Sequence, residues 1–112
     1  MADINKLSVA AMGIITFAGL AKSNYLIALK KVKEGNEEEA LQKIQEGAEE
    51  FAKAHAEHSS LLTDEMNLLE PQVSLLLVHA EDQLMAAETI KLIVEELIEI
   101  YKDRRVSNGC NI

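Results

Sequence analysis

The chain has 112 residues, 48% of them hydrophobic and 27% charged, and a formal net charge of -8. That is one domain's worth of sequence with enough apolar residues for a packed core, which excludes a disordered chain and leaves no comfortable room for a second domain. The acidic balance excludes a nucleic-acid partner held through its phosphates and an anionic membrane surface, because no basic stripe exists to displace counterions.

Leu, Ala, Glu, Ile and Lys dominate, there is one proline and no tryptophan, and clusters of β-branched or aromatic residues are scarce. These preferences point to an all-α chain. The spacing predicts a first helix over about Leu7–Lys33, with Leu7, Ala11, Ile14, Ala18, Tyr25, Ala28 and Val32 recurring at helical intervals. Gly13 and Gly19 weaken it but permit close approach of another backbone. Its apolar run Val9–Ala21 is too short to span a bilayer and lacks the preceding positive charge of a signal peptide. Gly35 suits a left-handed stop.

Asn36 is a good N-cap for a second helix, with Glu39 placed to reach back to it and Glu37 and Glu38 at the positive end of the dipole. The expected apolar stripe is Leu41, Ile44, Ala48, Phe51, His55 and Leu62, and the expected outer face is Glu38, Gln42, Glu49, Lys53 and Glu57. A break is expected over Asp64–Pro71, since Pro71 disfavours helix at Glu70.

The third helix is predicted from about Gln72 to Arg104. On a wheel at 100° per residue, Leu75, Val78, Asp82, Ala86, Thr89, Ile93, Leu97 and Ile100 form one stripe. Leu76, Ala80, Ala87, Val94, Ile98 and Tyr101 form a second, about 120° away. One apolar face suffices for the two neighbours in a three-helix bundle, so the surplus stripe points to association between copies. Lys102, Arg104 and Arg105 are read as favourable charge at the helix end. The domain therefore covers 1–106, followed by a polar tail, 107–112, with the single Cys110; one cysteine forms no internal disulfide, which favours a reducing, cytoplasmic setting.

Candidate chemistry is sparse. No glycine-rich phosphate loop, paired-cysteine zinc motif or Glu-x-x-His diiron motif is present. His55 and His58, three apart, could share a metal, or could be a core-edge and a solvent histidine. Asp82 interrupts an apolar stripe, so it must be exposed, paired, or holding a cation. Copies of the third helix around a symmetry axis would bring these carboxylates together, where Mg²⁺ or Ca²⁺ would offset their repulsion. His79 lies one turn before Asp82 on nearly the same side, and a neutral imidazole is a competent phosphoryl nucleophile; a structural histidine is the alternative.

The segment His79-Ala80-Glu81-Asp82-Gln83-Leu84-Met85 resembles the His-(Ala/Gly)-Gln-Asp-His-Leu-Met signature of the lactose/cellobiose-type enzyme IIA of the phosphoenolpyruvate-dependent sugar phosphotransferase system. Val73–Val78 also fits, and Ala18-Gly19-Leu20-Ala21-Lys22-Ser23 is similar to the family's Gly-(Glu/Asp)-Ala-Arg-Ser. Leu29–Lys31, Glu34–Asn36, Ala54–His55 and Leu97–Lys102 match in order, so the likeness spans roughly residues 9–103.

The resemblance implies an antiparallel three-helix bundle assembling as a homotrimer. It implies that His79 accepts a phosphoryl group from the phosphocarrier HPr and passes it to a cysteine of enzyme IIB. It further implies that Asp82 binds a divalent metal, Mg²⁺ by preference and one per trimer, on the trimer axis. Gly19 and Lys22 are expected to help shape the pocket. Four positions depart from the pattern: Glu81 stands for glutamine, Gln83 for the second histidine, Leu20 for an acid and Lys22 for arginine. Lysine keeps the charge of arginine but loses its bidentate fork. The rival readings are a regulatory helical interaction module and a metal-binding bundle built on His55 and His58. Nothing in the sequence selects the sugar.

Overall fold

The apolar interval of three and four residues in the first third of the chain produces a long amphipathic helix, and two more follow it. The computed structural model describes residues 4–66 and 75–110. They form α1 (Ile4–Lys33), α2 (Glu37–Met66) and α3 (Leu75–Cys110), with no strand among the described residues. Ala11, Ile14, Ala18, Ala21, Tyr25, Ala28 and Val32 of α1 are at most 1% exposed. This is the face the sequence predicted, with Ala21 added and Leu7 only half-buried.

The α1–α2 turn is set by hydrogen bonds that the sequence encodes. Gly35 adopts φ 90°, a conformation that costs a glycine nothing. Its N–H donates to the Val32 carbonyl at 3.1 Å, and the Asn36 N–H donates to the Lys31 carbonyl at 2.9 Å. This pair of bonds closes the helix as a Schellman motif. Asn36 then caps α2, its side-chain oxygen accepting the Glu39 N–H at 3.2 Å. The reciprocal half of the expected capping box does not form, because the Asn36 N–H already serves α1. The Glu39 carboxylate instead pairs with Lys31 at 3.2 Å, and this contact holds the Lys31 pKa above its ordinary value.

On α2 the buried line is Ala40, Gly47 and Ala54, flanked by half-buried Ile44, Phe51 and Leu61. The expected stripe was thus rotated: Leu41 and Leu62 are 57% and 42% exposed, and His55 is exposed as well. Side-chain size drew the wheel towards the leucines, whereas small residues decide which line of α2 approaches α1 most closely. A Cβ on Gly47 would lie 2.5 Å from Cε1 of the buried Tyr25 ring. The glycine that admits a neighbour is therefore Gly47, not Gly13 or Gly19, whose added Cβ atoms meet ordinary contacts or open space. The expected outer face, Glu38, Gln42, Glu49, Lys53 and Glu57, is exposed throughout.

The helix directions follow from the partners. Tyr25 meets Gly47, Lys53 lies 5.5 Å over the Phe17 ring, and Gly13 lies near Glu57, so α1 and α2 are antiparallel. One core cluster joins Ala11, Ile14 and Ala18 with Ala80, Leu84 and Ala87; the other joins Ala21–Val32 with Val94 and Ile98. Hence α3 runs parallel to α1. The molecule is a rod of 68 × 19 × 17 Å in which α1 packs along both other helices while α2 and α3 touch only slightly.

Two helix ends differ from expectation. α2 continues through Asp64 to Met66, and the remainder of the expected break, with Asn67 and Pro71, lies outside the described residues, as do Gln72–Ser74. α3 continues past Arg104 to Cys110, so Lys102, Arg104 and Arg105 are not in its last turn, and the stretch expected as a tail begins as helix. The segment Lys6–Lys33 is long and apolar enough to cross a bilayer by length and composition alone, which the shorter uninterrupted run had not shown. Here it serves as the core helix of the bundle, its seven buried residues facing α2 and α3.

Candidate functional site

The two apolar stripes of α3 meet different fates. Ala80, Ala87, Val94 and Ile98 of the second stripe are buried, with Leu76 and Tyr101 half-buried beside them; Leu77 and Leu84, which neither stripe contained, are buried too. Among the described residues most of the first stripe is uncovered, with only Ala86 and Leu97 half-buried. Leu75, Val78, Ile93 and Ile100 are 86%, 46%, 55% and 49% exposed, and Met85 and Leu92 continue the same surface. A second apolar line, Val9, Met12, Leu20 and Ile27, faces outwards from α1.

Asp82 sits on the exposed stripe of α3, and His79 lies one turn before it, also exposed. Of the alternatives open to Asp82, exposure is the one realised within a single chain. Among the described residues, no hydrogen bond or ion pair reaches either side chain. The imidazole is therefore accessible and uncommitted, carried on a rigid helix at the edge of an apolar surface. That arrangement suits a group that must be reached by another macromolecule. Gly19 and Lys22 are half-buried, and among the described residues no polar contact joins either of them to His79.

The histidine pair on α2 is not brought together around a metal. His55 stacks on Phe51 with ring centroids 6.3 Å apart and 15° between planes. His58 turns to α3, its Nε2 lying 3.1 Å from Oε1 of Glu81. No group of three or more His, Cys, Asp or Glu side chains able to hold a metal occurs among the described residues. The His58–Glu81 contact was missed by the sequence reading. The partners are 23 residues apart on different helices, so no local pattern signals it; only the α2–α3 register does.

The family model described as PTS system, Lactose/Cellobiose specific IIA subunit matches residues 9–102. The chain belongs to this family. It is thus a phosphotransferase component of the phosphocarrier kind. The lichenan-specific phosphotransferase enzyme IIA component of Bacillus subtilis is 37% identical over 99 residues, covering 88% of this chain and 90% of that protein. The cellobiose-specific enzyme IIA from Bacillus anthracis superposes with a TM-score of 0.83 at 31% identity, over 87% of this chain and 89% of that one. A solution structure of the chitobiose IIA–HPr complex of Escherichia coli matches with a TM-score of 0.78 at 27% identity, over 94% and 99% of the two chains. The signature segment of α3 falls inside the matched IIA region, so the resemblance carried by His79–Met85 extends to the whole helical framework.

Proposed function

We propose that His79 accepts a phosphoryl group from phospho-HPr and passes it to a cysteine of enzyme IIB, serving uptake of a lactose/cellobiose-type sugar. The observation that carries this reading is the exposure of His79, without a hydrogen-bond or ion-pair partner among the described residues, at the signature position of a IIA chain. An imidazole nitrogen attacks the phosphorus in line; a P–N bond forms to His79 as the bond to HPr breaks. A thiolate of IIB then attacks the same phosphorus, and the P–N bond breaks as a P–S bond forms. The protein's contribution is positioning, because phosphoryl transfer leaves it little covalent work beyond the nucleophile. The HPr complex of the chitobiose IIA supports the first partner. The sugars named for the relatives differ, lichenan, cellobiose and chitobiose among them, which supports the class and leaves the individual sugar to the rest of the transport system.

The working form in this reading is a homotrimer. Val78, Met85, Leu92, Ile93 and Ile100 are about half exposed or more, and covering the remainder of each contributes roughly 1 kcal/mol. A threefold arrangement of α3 would bring three Asp82 carboxylates to the axis. Their oxygen chemistry fits a divalent cation such as Mg²⁺, one per trimer, whose role there would be to neutralise their mutual repulsion. One chain offers a single carboxylate, so the site exists only through symmetry. The protein acts in the cytoplasm in this account, with α1 committed to the bundle core and not to a bilayer.

The relay is tested by loading the chain from phospho-HPr, removing HPr, and adding enzyme IIB. Movement of phosphate to the IIB cysteine supports the assignment. A chain that loads but never discharges to IIB favours the regulatory reading instead.

A further inference from the structure

We propose that His58 and Glu81 form a positioning clamp, which ties α2 to α3 and fixes the rotational setting of the α3 turns that carry His79. The inference rests on the reading of His79 as phosphoryl acceptor. His58 Nε2 lies 3.1 Å from Glu81 Oε1, with side chains 20% and 43% exposed. Glu81 follows His79 by two residues, so it leaves α3 on nearly the opposite side from the imidazole. Holding it sets the direction in which His79 points without occupying the space a partner needs.

The fully buried part of the core cluster at this end is mostly small, with Ala11, Ala18, Ala54, Ala80 and Ala87 beside Ile14 and Leu84, and Ile15, Phe17, Phe51, Leu61 and Leu76 pack against it only partly buried. Alanines lack the ridges that lock helices into one another's grooves, and α2 and α3 meet only slightly. A directional contact between helices has most effect where the packing between them is slight. Where the family signature has glutamine, this chain has a carboxylate, and the structure gives that carboxylate a partner on α2.

The test compares His58→Ala, Glu81→Ala, Glu81→Gln and the double alanine variant in steady-state phosphoryl acceptance from phospho-HPr. Each alanine variant is expected to lower kcat about tenfold, as mispositioning of a reacting group does, and to leave KM for phospho-HPr within about twofold, because docking is untouched. Glu81→Gln keeps an acceptor oxygen at the same reach, so its rate should return to within about twofold of the parent chain. The double variant should be no slower than either single one. Unchanged kcat in the alanine variants, a loss confined to KM, or a glutamine variant as slow as alanine would overturn the clamp. Should the parent chain take up no phosphate, the acceptor reading is what fails. The clamp is then judged by hydrogen exchange: amides of residues 79–83 should exchange up to about tenfold faster in His58→Ala, as loss of one such contact permits, and equal exchange would overturn it.

Discussion

Replacing Gly47 by alanine sets two effects of known sign against each other. Alanine in a helix interior is favoured over glycine by about 1 kcal/mol, so propensity alone predicts a more stable protein. The added Cβ, however, would lie 2.5 Å from Cε1, 2.8 Å from Cδ1 and 3.1 Å from Cζ of Tyr25. That ring is fully buried and cannot swing away into solvent. Overpacking of this kind costs about 1–3 kcal/mol, and contacts this short belong near the upper end. The net expectation is a destabilisation of about 1–2 kcal/mol, or a fall in melting temperature of about 4–8 °C for each kcal/mol. Gly13→Ala is the control, since its Cβ meets only the flexible Glu57 side chain at 3.8 Å; propensity should prevail there and the melting temperature should rise. Thermal unfolding by circular dichroism at one fixed protein concentration measures both. A Gly47→Ala protein as stable as its parent would refute the claim that the Tyr25 ring sets the distance between α1 and α2.

Three further outcomes are expected. The Tyr25 hydroxyl is buried without a hydrogen-bond partner among the described residues, so Tyr25→Phe should leave stability at neutral pH unchanged or raise it by about 1 kcal/mol. Burial, with a smaller contribution from Glu95, pushes the Tyr25 pKa up to about 12; the unfolded chain then ionises first, and stability is lost as pH rises from about 10 to 12. Denaturant titrations should show the parent losing about 2 kcal/mol more than Tyr25→Phe over that window; parallel losses would place the effect elsewhere. Ile93→Glu puts a charge on the exposed stripe of α3 and should yield folded monomers by analytical ultracentrifugation, whereas an unchanged assembly would move the interface off this face. If the proposed trimer places Asp82 on its axis, Asp82→Leu should keep that assembly and remove any response to divalent cations, because an apolar side chain would replace converging carboxylates without their repulsion; monomers from this variant would contradict the axial placement.

The core face of α1 was legible in the sequence because its spacing is regular and its ends carry specific chemistry, Gly35 and Asn36 above all. The two stripes of α3 were legible for the same reason, and the exposed one is the stripe that carries Asp82. The face of α2 was not, because a wheel weighs Leu41 and Leu62 above Gly47 and Ala54, while helix approach favours the small residues. The end of α2 ran past Asp64, since nothing in Asp64–Met66 breaks a helix and the proline acts only on residues near it. At the candidate site, His79 and Asp82 stood out by their neighbouring positions on one helix, and their expected roles came from the resemblance of His79–Met85 to the enzyme IIA signature. The link from His58 to Glu81 was not legible, because it depends on how two helices are set beside each other, a quantity that no local pattern records.

In the proposed relay, His79 carries the phosphoryl group. Intact-mass analysis after incubation with phosphoenolpyruvate, enzyme I and HPr, with His79→Ala run in parallel, tests it most directly. One acid-labile phosphoryl increment is expected on the parent chain and none on the variant, with the helical circular dichroism of the two superimposable. Phosphate uptake by the variant, or by neither protein when HPr itself is phosphorylated, would contradict it.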